Sequence, residues 1–593
     1  MCFVSFISAS LEQKITPALV RKVAATRGPD GFSSVYIEGI GRLSHGLLAI
    51  TAPKTVQPLV SKHIHLAING QIYGWLMESG SYVTKPTETN DAQWLLDLIC
   101  EFGPEYILPR IVGMFALIVV DQERSLIWVA RDSIGEKPLF EFCENETLIL
   151  SSSFELLKPL RSMLSFCPQS LAHFFAYGNP GGESCIYEEV KFFPANTVRC
   201  YICRDEQISP FSESSLVQAD SSDIDFAETI LESAIPSSEC AVAISGGCDS
   251  TFVAAMTSRL CGDPSVLGIS CRYNLHDESI VASRNAQRLE MDFEVVSPLK
   301  PVDFFDALLD LPSIFGYPYG NTSAVYAMEI AKKAKRRGYK ILLTGDGGDE
   351  LSGSYLRHRY MDYIVFLHNS VLRLPLSVCI KAGRLVVRNI AILKKIHPNI
   401  SHWLLKLDAI FSCSDPRFIP TLISSLSFGL SENALSLLAT QPDQVSSVGL
   451  RQMDLNGYLR NDGAPKFDRA AIAFGVESRA PLLLLSRISR EGVNHLFADK
   501  RYFRDYLTRA GCFVPEKKRG FGEDISIYFT HRVFDDLTPW IMASLSRREV
   551  LEALDAELVV RIGKMIDRKQ AMDPYLIIFL AIYGKWVMTF ESD

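Results

Sequence analysis

Residues 241–253 read AVAISGGCDSTFV, in which an apolar run ends at two serines, two glycines and an aspartate. The run is typical of a buried strand, and ligands of open parallel sheets bind at the carboxyl ends of strands. Successive backbone N–H groups in a glycine-rich turn bind anions. A Walker A loop needs a lysine for the outer phosphates, and the sequence contains no such segment. The stretch therefore predicts a site for a nucleotide that loses its whole pyrophosphate, whereas SGG alone would indicate only a turn.

A second acidic, glycine-rich segment, TGDGGDE at 344–350, follows the apolar residues ILL. Two loops that close strands of one parallel sheet lie at the same edge of that sheet. Each loop carries aspartate, and Mg²⁺ prefers carboxylate oxygens together with phosphates. The two segments therefore predict one metal–nucleotide site.

The organisation of the chain changes near residue 210. A chain of 593 residues is expected to form two or three domains. Its first two hundred residues carry short β-type runs such as HIHLAING and MFALIVVD, typical of a layered β domain. A serine-rich stretch at 206–222 is predicted as a linker. Strands then alternate with helical patterns, which predicts a parallel sheet with crossover helices, and the chain is mainly helical from about residue 355.

Composition narrows the possible functions. A net charge of -8 argues against a broad nucleic-acid surface, and 14 scattered cysteines favour reduced thiols in a cytoplasm. The N-terminus lacks the pattern of a signal peptide. The apolar run YLIIFLAIYG, after Asp573 and Pro574, is predicted as a buried closing helix, too short to span a bilayer. Region 363–396 is also predicted as core helices, because basic residues interrupt it: Arg373, Lys381, Arg384 and Arg388.

SGGCDS and GDGGDE together resemble the synthetase domain of the asparagine synthetase family, whose ATP-pyrophosphatase loop has the form SGGxDS. Three further stretches match family segments in the same order: DES (277–279), KFDRAAIAFGVESRAP (466–481) and KKRGFG (517–522). The resemblance implies Mg²⁺ ligands at Asp249 and Asp349 and a catalytic cation at Lys518. The ATP contacts that it implies are Ser245, Gly246, Gly247, Asp249, Ser250, Ile269, Gly345 and Asp346. Residues expected around the acceptor site, with structural ion pairs as the alternative, are Glu278, Arg469, Glu477 and Arg479.

The N-terminal half resembles the glutaminase domain that is fused to the synthetase in this family. Removal of Met1 exposes Cys2, whose thiolate is a strong nucleophile and whose α-amino group can act as base. The segment AINGQIYG resembles the oxyanion-hole segment, which implicates Asn69 and Gly70. Asp91 matches the acid that holds the α-amino group of glutamine. The implied fold class is α/β: a layered α/β/β/α N-terminal nucleophile domain (class II glutamine amidotransferase) at 1–205, then a parallel-sheet ATP-pyrophosphatase domain at 223–593.

Several positions depart from the family pattern. Leu47, in HGLLAI, stands where the family has the arginine that binds the α-carboxylate of glutamine. Gln71 and Phe3 replace a glutamate and a glycine. In the synthetase half, GYPYGNTSA (316–324) and Leu484 replace residues of the acceptor pocket. The ATP residues are kept while the acceptor surroundings differ, which leaves open a carboxylate substrate other than aspartate.

Three functions are consistent with these patterns. The first is a glutamine-hydrolysing ligase that adenylates a carboxylate with ATP and Mg²⁺, forms AMP and pyrophosphate, and transfers ammonia. Its expected partners are glutamine and a small-molecule or peptide acceptor, with no nucleic acid and no membrane; a homodimer is an option. The alternative is a macrolactam- or β-lactam-forming cyclase, like lasso-peptide cyclases, with a vestigial glutaminase domain. A non-catalytic scaffold is the third, against which the intact ATP loops and Lys518 argue.

Overall fold

The structure is a computed structural model that describes most of the chain. The ranges that it describes are 2–50, 55–261, 266–274, 277–389, 400–425, 430–440, 444–513, 525–529, 531–568 and 574–590. Lys518 and the rest of KKRGFG lie outside these ranges, as does Asp573.

The described N-terminal half consists of two antiparallel sheets, one in the strand order β11-β12-β9-β10-β1-β3-β2 and the other β14-β13-β8-β7-β5-β4, with β6 paired to β5. The strands are β1 (Phe3–Ser8), β2 (Gly31–Ile37), β3 (Gly41–Leu47), β4 (Leu59–Ser61), β5 (Ile64–Leu76), β6 (Tyr82–Thr84), β7 (Ile111–Asp121), β8 (Leu126–Arg131), β9 (Phe140–Glu144), β10 (Thr147–Ser151), β11 (Ser184–Cys185), β12 (Tyr187–Phe192), β13 (Thr197–Arg204) and β14 (Gln207–Ser215). The helices are α1 (Pro17–Ala25), α2 (Asp91–Phe102), α3 (Pro104–Ile107) and α4 (Pro168–Tyr177).

The two sheets pack face to face because alternate residues of each strand are apolar. Val4 and Leu43 of the first sheet meet Ala116 and Ile118 of the second in one buried cluster. Helix α2 covers the outer face of the second sheet, while α1, α4 and helices of the C-terminal half cover the outer face of the first. This confirms the predicted α/β/β/α layers.

Part of the stretch predicted as a linker is a strand. β14 pairs with β13 along residues 207–215, and Ile208 is its one buried residue. An edge strand that faces solvent carries polar side chains, so the sequence shows no apolar alternation there. The domain limits of 205 and 223 stay predictions, and the N-terminal sheet extends to residue 215.

The C-terminal half is built on a parallel sheet in the strand order β17-β16-β15-β18-β19. Its strands are β15 (Cys240–Ala243), β16 (Val266–Cys271), β17 (Asp292–Val296), β18 (Ile341–Leu343) and β19 (Glu477–Arg479). The described α-helices are α5 (Ile224–Ser233), α6 (Cys248–Cys261), α7 (Ser279–Arg288), α8 (Pro301–Phe315), α9 (Ser323–Arg336), α10 (Gly348–Ser352), α11 (Leu356–His368), α12 (Arg373–Asn389), α13 (Ile400–Ser412), α14 (Ile419–Ser424), α15 (Glu432–Ser436), α16 (Ser447–Met453), α17 (Ala464–Ile472), α18 (Arg490–Phe497), α19 (Arg501–Arg509), α20 (His531–Leu545), α21 (Arg548–Ala553), α22 (Ala556–Arg568) and α23 (Pro574–Phe590). The predicted parallel-sheet domain is confirmed.

Helix α23 joins the two halves. Its apolar residues are buried in the cluster that covers the first sheet, and the rings of Phe579 and Phe174 lie 5.5 Å apart. The rings of Phe590 and Phe154 lie 5.2 Å apart. The predicted buried closing helix is therefore present, and it packs across the boundary between the halves.

Helices α11 and α12 differ from the prediction of core helices over 363–396. One face packs in a small cluster with Ile410 and Phe411. The other face exposes large apolar side chains, named here the 360–378 surface: Tyr360, Tyr363, Phe366, Val371, Leu372, Leu374 and Val378. The prediction was wrong for this face, because an apolar pattern does not reveal whether a second layer covers it. Among the described residues no single helix is long and apolar enough to cross a membrane; Tyr360–His368 and Arg373–Gly383, bent by 109°, pass that test only as a pair.

Two cysteines have CxxC spacing but cannot act together. Cys200 and Cys203 lie on β13 and point to opposite faces of its sheet, one under α2 and one between the sheets. All 14 cysteines of the sequence are free thiols in this structure.

Candidate active sites

The N-terminal candidate site is built around Cys2, at the start of β1. The backbone nitrogen of Cys2 donates a hydrogen bond of 3.1 Å to Asn69 Oδ1 on β5. Asn69 is fully buried, and its Nδ2 has no hydrogen-bond partner among the described residues. A buried amide donor without a partner is costly unless a ligand uses it. The structure therefore brings Cys2 and the unused Nδ2 donor of Asn69 together, as the predicted pairing of nucleophile and oxyanion donor requires.

Gly70 follows Asn69 in a conformation that other residues rarely adopt. Its φ is +133°, and a Cβ there would lie 1.9 Å from the carbonyl oxygen of Met114. This steric demand explains the glycine after Asn69, and it fixes the direction of the Gly70 backbone next to Cys2.

Asp91 begins helix α2, which Asn90 caps by accepting from the amides of Ala92 and Gln93. Asp91 Oδ2 accepts a hydrogen bond of 3.1 Å from the backbone N–H of Ile72, close to Asn69 on β5. Burial raises the pKa of Asp91, and the amides of Ile72 and Ala92 partly offset this rise. The carboxylate is thus held beside the Cys2 region.

The surroundings of Cys2 favour the thiol over the thiolate. Burial raises its pKa, while the N-terminal amine and the backbone N–H of Leu48 act in the opposite direction. A thiol with a raised pKa needs a base to become nucleophilic. Once Met1 is removed, the α-amino group of Cys2 itself is such a base.

The C-terminal candidate site begins where β15 ends. In SGGCDS, the backbone N–H of Ser245 donates to Ser250 Oγ at 3.1 Å, and the N–H of Gly247 donates to Ser245 Oγ at 3.3 Å. Gly246 has a φ of +74°. The carbonyl of Ile269, on the neighbouring β16, accepts from Ile244 N–H at 2.9 Å. The hydroxyls of Ser245 and Ser250 thus satisfy two backbone N–H groups of this compact turn, which leads directly into α6.

The GDGGDE loop packs directly onto that turn. A Cβ on Gly345 would lie 2.7 Å from the backbone nitrogen of Ser250, and one on Gly348 would lie 2.4 Å from Cγ of Asp249. Asp346 Oδ2 accepts from Thr344 Oγ1 at 2.8 Å. The two loops lie together at the sheet edge because glycines allow the close approach.

A lysine that the sequence analysis missed joins the two loops. Lys500 Nζ donates to Asp249 Oδ2 at 2.6 Å and also to Asp349 Oδ1. The ammonium is buried, so the two carboxylates are gathered around one cation. The described residues contain no group of three or more His, Cys, Asp or Glu side chains placed for a metal. Mg²⁺ needs only one or two carboxylates when phosphates supply the other oxygens, so Asp249 and Asp349 fit it.

Glu350, in the same loop, is a second residue without an assigned role in the sequence analysis. Tyr355 Oη donates to Glu350 Oε1 at 2.5 Å. Burial raises the pKa of Glu350 to about 7, and the negative charges of Asp349 and Asp346 add to the rise. A carboxyl group with such a pKa can exchange a proton near neutral pH.

We expect Glu350→Gln to be more stable than the wild-type protein at pH 8 and nearly equal to it at pH 5. A pKa of about 7 means that the folded protein keeps a proton that the unfolded chain loses, so wild-type stability falls as pH rises from about 4.5 to 7. The loss reaches about 3 kcal/mol above that window, and glutamine avoids it. Urea unfolding at both pH values measures the difference, with the exposed Glu38→Gln as control. An equal difference at pH 5 and pH 8 contradicts the prediction.

Two of the four residues expected around the acceptor site form a buried ion pair. Arg479 Nε donates to Glu477 Oε1 at 2.8 Å, and Arg479 Nη1 donates to the carbonyl of Ala234 at 3.2 Å. Arg469 is buried with its guanidinium over the ring of Phe140. Glu278 is half-buried, directly before α7. The geometry of Glu477 and Arg479 matches the structural ion pair that the sequence left open.

A buried ionic network links the two halves of the chain. Lys137 Nζ, from the RDSIGEKPLF segment, donates to Glu136 Oε1 (3.1 Å), Asp468 Oδ1 (3.0 Å) and the carbonyl of Ser478 (3.1 Å). Arg27 pairs with Asp468 at 3.3 Å. All four charged side chains are buried. One lysine thus joins the segments RDSIGEKPLF (131–140) and KFDRAAIAFGVESRAP (466–481).

Glu477 acts electrostatically on the N-terminal candidate site. It is the first residue of β19, where it pairs with Ile341 at the start of β18, so it lies at the opposite edge of the sheet from the loops that follow β15 and β18. Its negative charge raises the pKa of Cys2 and of Asp91, in each case after the larger effect of burial. Arg479 and the N-terminal amine act the other way on Glu477 and hold its own pKa low despite burial.

The departures in the synthetase half form a polar cluster. Tyr319 Oη and Asn321 Nδ2 both donate to Asp462, the latter at 2.7 and 2.8 Å. Burial raises the pKa of Asp462, and Asp346 of the nucleotide loop contributes. Leu484 is buried in an apolar cluster with Leu343. The expected acceptor region thus combines a carboxylate held by GYPYGN with an apolar patch.

Comparisons with known proteins match both halves. Residues 1–212 match the family model for the glutamine amidotransferase domain, and residues 232–484 match the model for asparagine synthase. Asparagine synthetase B [glutamine-hydrolyzing] of Escherichia coli (strain K12) is 26% identical to this chain. The match covers 60% of this chain and 65% of that protein. A putative asparagine synthetase of Methanocaldococcus jannaschii is 25% identical (54% of this chain, 59% of that protein). Amidase chry2 of Gibberella zeae is 22% identical (56% of this chain, 54% of that protein). The chain spans less than two thirds of these relatives.

Proposed function

The chain belongs to the asparagine synthetase (glutamine-hydrolysing) family, and on that premise we propose that it is an ATP-dependent amide ligase with glutamine as its nitrogen donor. The observation that carries the proposal is the presence of two sets of predicted site residues in one molecule. Cys2 with Asn69 forms the first, and Asp249 with Asp349 forms the second. A cytoplasmic location, a homodimer and a peptide acceptor stay predictions.

The glutaminase step uses the residues of the N-terminal site. Cys2 Sγ attacks the side-chain amide carbon of glutamine after the α-amino group takes the thiol proton. Asn69 Nδ2 and the Gly70 N–H donate to the oxyanion, and Asp91 holds the α-amino group of the substrate. Ammonia leaves, and water hydrolyses the glutamyl thioester.

The ligase step uses the C-terminal site. A substrate carboxylate attacks the α-phosphorus of ATP and forms an acyl-adenylate and pyrophosphate. The N–H groups and hydroxyls of SGGCDS bind phosphate oxygens. Asp249 and Asp349 would hold Mg²⁺, which neutralises charge on the leaving pyrophosphate when bound. Ammonia displaces AMP and leaves an amide; Lys500 and the predicted Lys518 supply positive charge.

A second candidate, a lactam-forming cyclase, is favoured by the altered acceptor region. Leu47 removes the expected partner of the glutamine α-carboxylate, and GYPYGNTSA (316–324) and Leu484 replace the usual acceptor residues. In that case an amine of the substrate itself attacks the acyl-adenylate, and the glutaminase step is unused.

The test is release of pyrophosphate from ATP and Mg²⁺ with aspartate and either glutamine or ammonium, together with release of glutamate. Turnover with both nitrogen sources supports an asparagine-forming ligase. Glutamate release without use of aspartate supports a ligase for another carboxylate. No glutamate release under any condition overturns the glutamine-dependent proposal and favours the cyclase, and ATP binding without turnover of any acceptor favours the scaffold.

A further inference from the structure

Helix α11 carries apolar side chains on two opposite sides. Met361 is buried in the cluster with Ile410 and Phe411. On the opposite side, Tyr363 and Phe366 are each 69% exposed. Exposed apolar patches of this kind mark binding surfaces.

Helix α12 and the turn before it continue the same surface. Val371 is 94% exposed, Leu374 76% and Val378 67%. Their spacing of three and four residues places them along one side of the chain. Ile380 and Leu376 pack on the inner cluster instead. The exposed side chains are therefore a second apolar stripe, separate from the stripe that builds the core.

The charge of this region selects the kind of partner. The described residues of this region, 360–389, carry one acidic residue, Asp362, in a chain whose net charge is -8. Their basic residues are Arg373, Lys381, Arg384 and Arg388. A second copy of the chain would bring the same basic stretch against itself, which repels. Anionic lipid head groups attract basic residues, and the acyl boundary below them accepts apolar side chains.

We propose that the 360–378 surface docks this protein onto an anionic lipid bilayer, with α11 and α12 lying in the plane of the interface. The helices have 13 and 17 residues, and a helix needs about 20 apolar residues to span a bilayer. The docking places the two enzyme sites at a membrane surface without crossing it. It is independent of which acceptor the ligase uses.

The test is co-sedimentation of the full chain with vesicles. Wild-type protein is expected to bind vesicles of phosphatidylcholine mixed with phosphatidylglycerol, to bind pure phosphatidylcholine weakly, and to release at high salt. The triple variant Val371→Asp/Leu374→Asp/Val378→Asp should bind about tenfold more weakly or worse. Phe211→Asp is the control, since Phe211 is a large apolar residue that is 61% exposed on β14 of the other half, and it should bind as wild type does.

Folding is checked by thermal unfolding, which should not change because every substituted side chain is exposed. Lys381→Glu is a second variant, whose binding should weaken at low salt and converge with wild type at high salt. Absence of binding to the mixed vesicles overturns the proposal. Equal binding of vesicles by wild type and the triple variant overturns it too. So does the following pair of results: wild type is a dimer in sedimentation velocity and the triple variant is not, while neither protein binds vesicles.

Discussion

Replacement of Cys2 by alanine is expected to lower the rate of glutamine-dependent amide formation by about 10⁴-fold or more. The rate of amide formation from ammonium should stay within about twofold of wild type. Alanine has no nucleophile to form the thioester, so glutamine releases no ammonia. The substitution is small and leaves the backbone hydrogen bond between Cys2 and Asn69 in place. The ligase site is untouched, and external ammonium can reach the acyl-adenylate.

Glutamate release and pyrophosphate release, measured in parallel with each nitrogen source, separate the effect on glutamine hydrolysis from the effect on amide formation. Cys100→Ala is the control, because Cys100 is an exposed cysteine on α2 of the same half. If Cys2→Ala still hydrolyses glutamine, Cys2 is not the nucleophile. If it loses the ammonium reaction to the same extent, the substitution has damaged more than the glutaminase step.

Lys500→Met is expected to lower the free energy of unfolding by about 3 kcal/mol at neutral pH. The ammonium of Lys500 lies between Asp249 and Asp349, and its removal leaves two carboxylates facing each other. Methionine has similar length and no charge, so the loss reports on charge rather than on volume. The double variant Lys500→Met/Asp249→Asn should recover most of the stability, because one of the opposing charges is gone.

Urea unfolding with and without Mg²⁺ measures this effect and also tests the metal site. If the two aspartates bind Mg²⁺, the ion should raise the stability of Lys500→Met more than that of wild type, since it takes the position of the lost ammonium. Lys333→Met is the control, because Lys333 pairs with Glu294 in a more exposed ion pair. An equal effect of Mg²⁺ on all variants would argue against metal binding by Asp249 and Asp349.

The two loops could be predicted because their signals are local. An apolar run followed by glycines and an acid indicates a strand end, and a parallel sheet brings such ends together. Lys500 could not be found in this way. It precedes α19 in a sequence with no glycine-rich motif, and its partners Asp249 and Asp349 are 251 and 151 residues distant along the chain.

Which faces of the helices and strands are buried was harder to predict than the helices and strands themselves. β14 was hidden because an edge strand carries polar residues, and Ile208 alone is buried. The helices α11 and α12 were expected in a core because their sequences are apolar, and they instead leave Tyr363 and Leu374 exposed. Periodicity reports that a face is apolar, but what lies against it depends on residues far away in the sequence.

The buried position of Lys137 has a consequence for how the chain is made on the ribosome. Two of its partners, Asp468 and Ser478, are synthesised 331 and 341 residues later. At roughly 5–20 residues per second, the lysine waits about 20 to 70 seconds for them. During that time the nascent N-terminal half has Glu136 as the lysine's neighbouring carboxylate. The contact between the two halves of the chain therefore forms late in translation. A chaperone that binds the surface around Lys137 has tens of seconds in which to act.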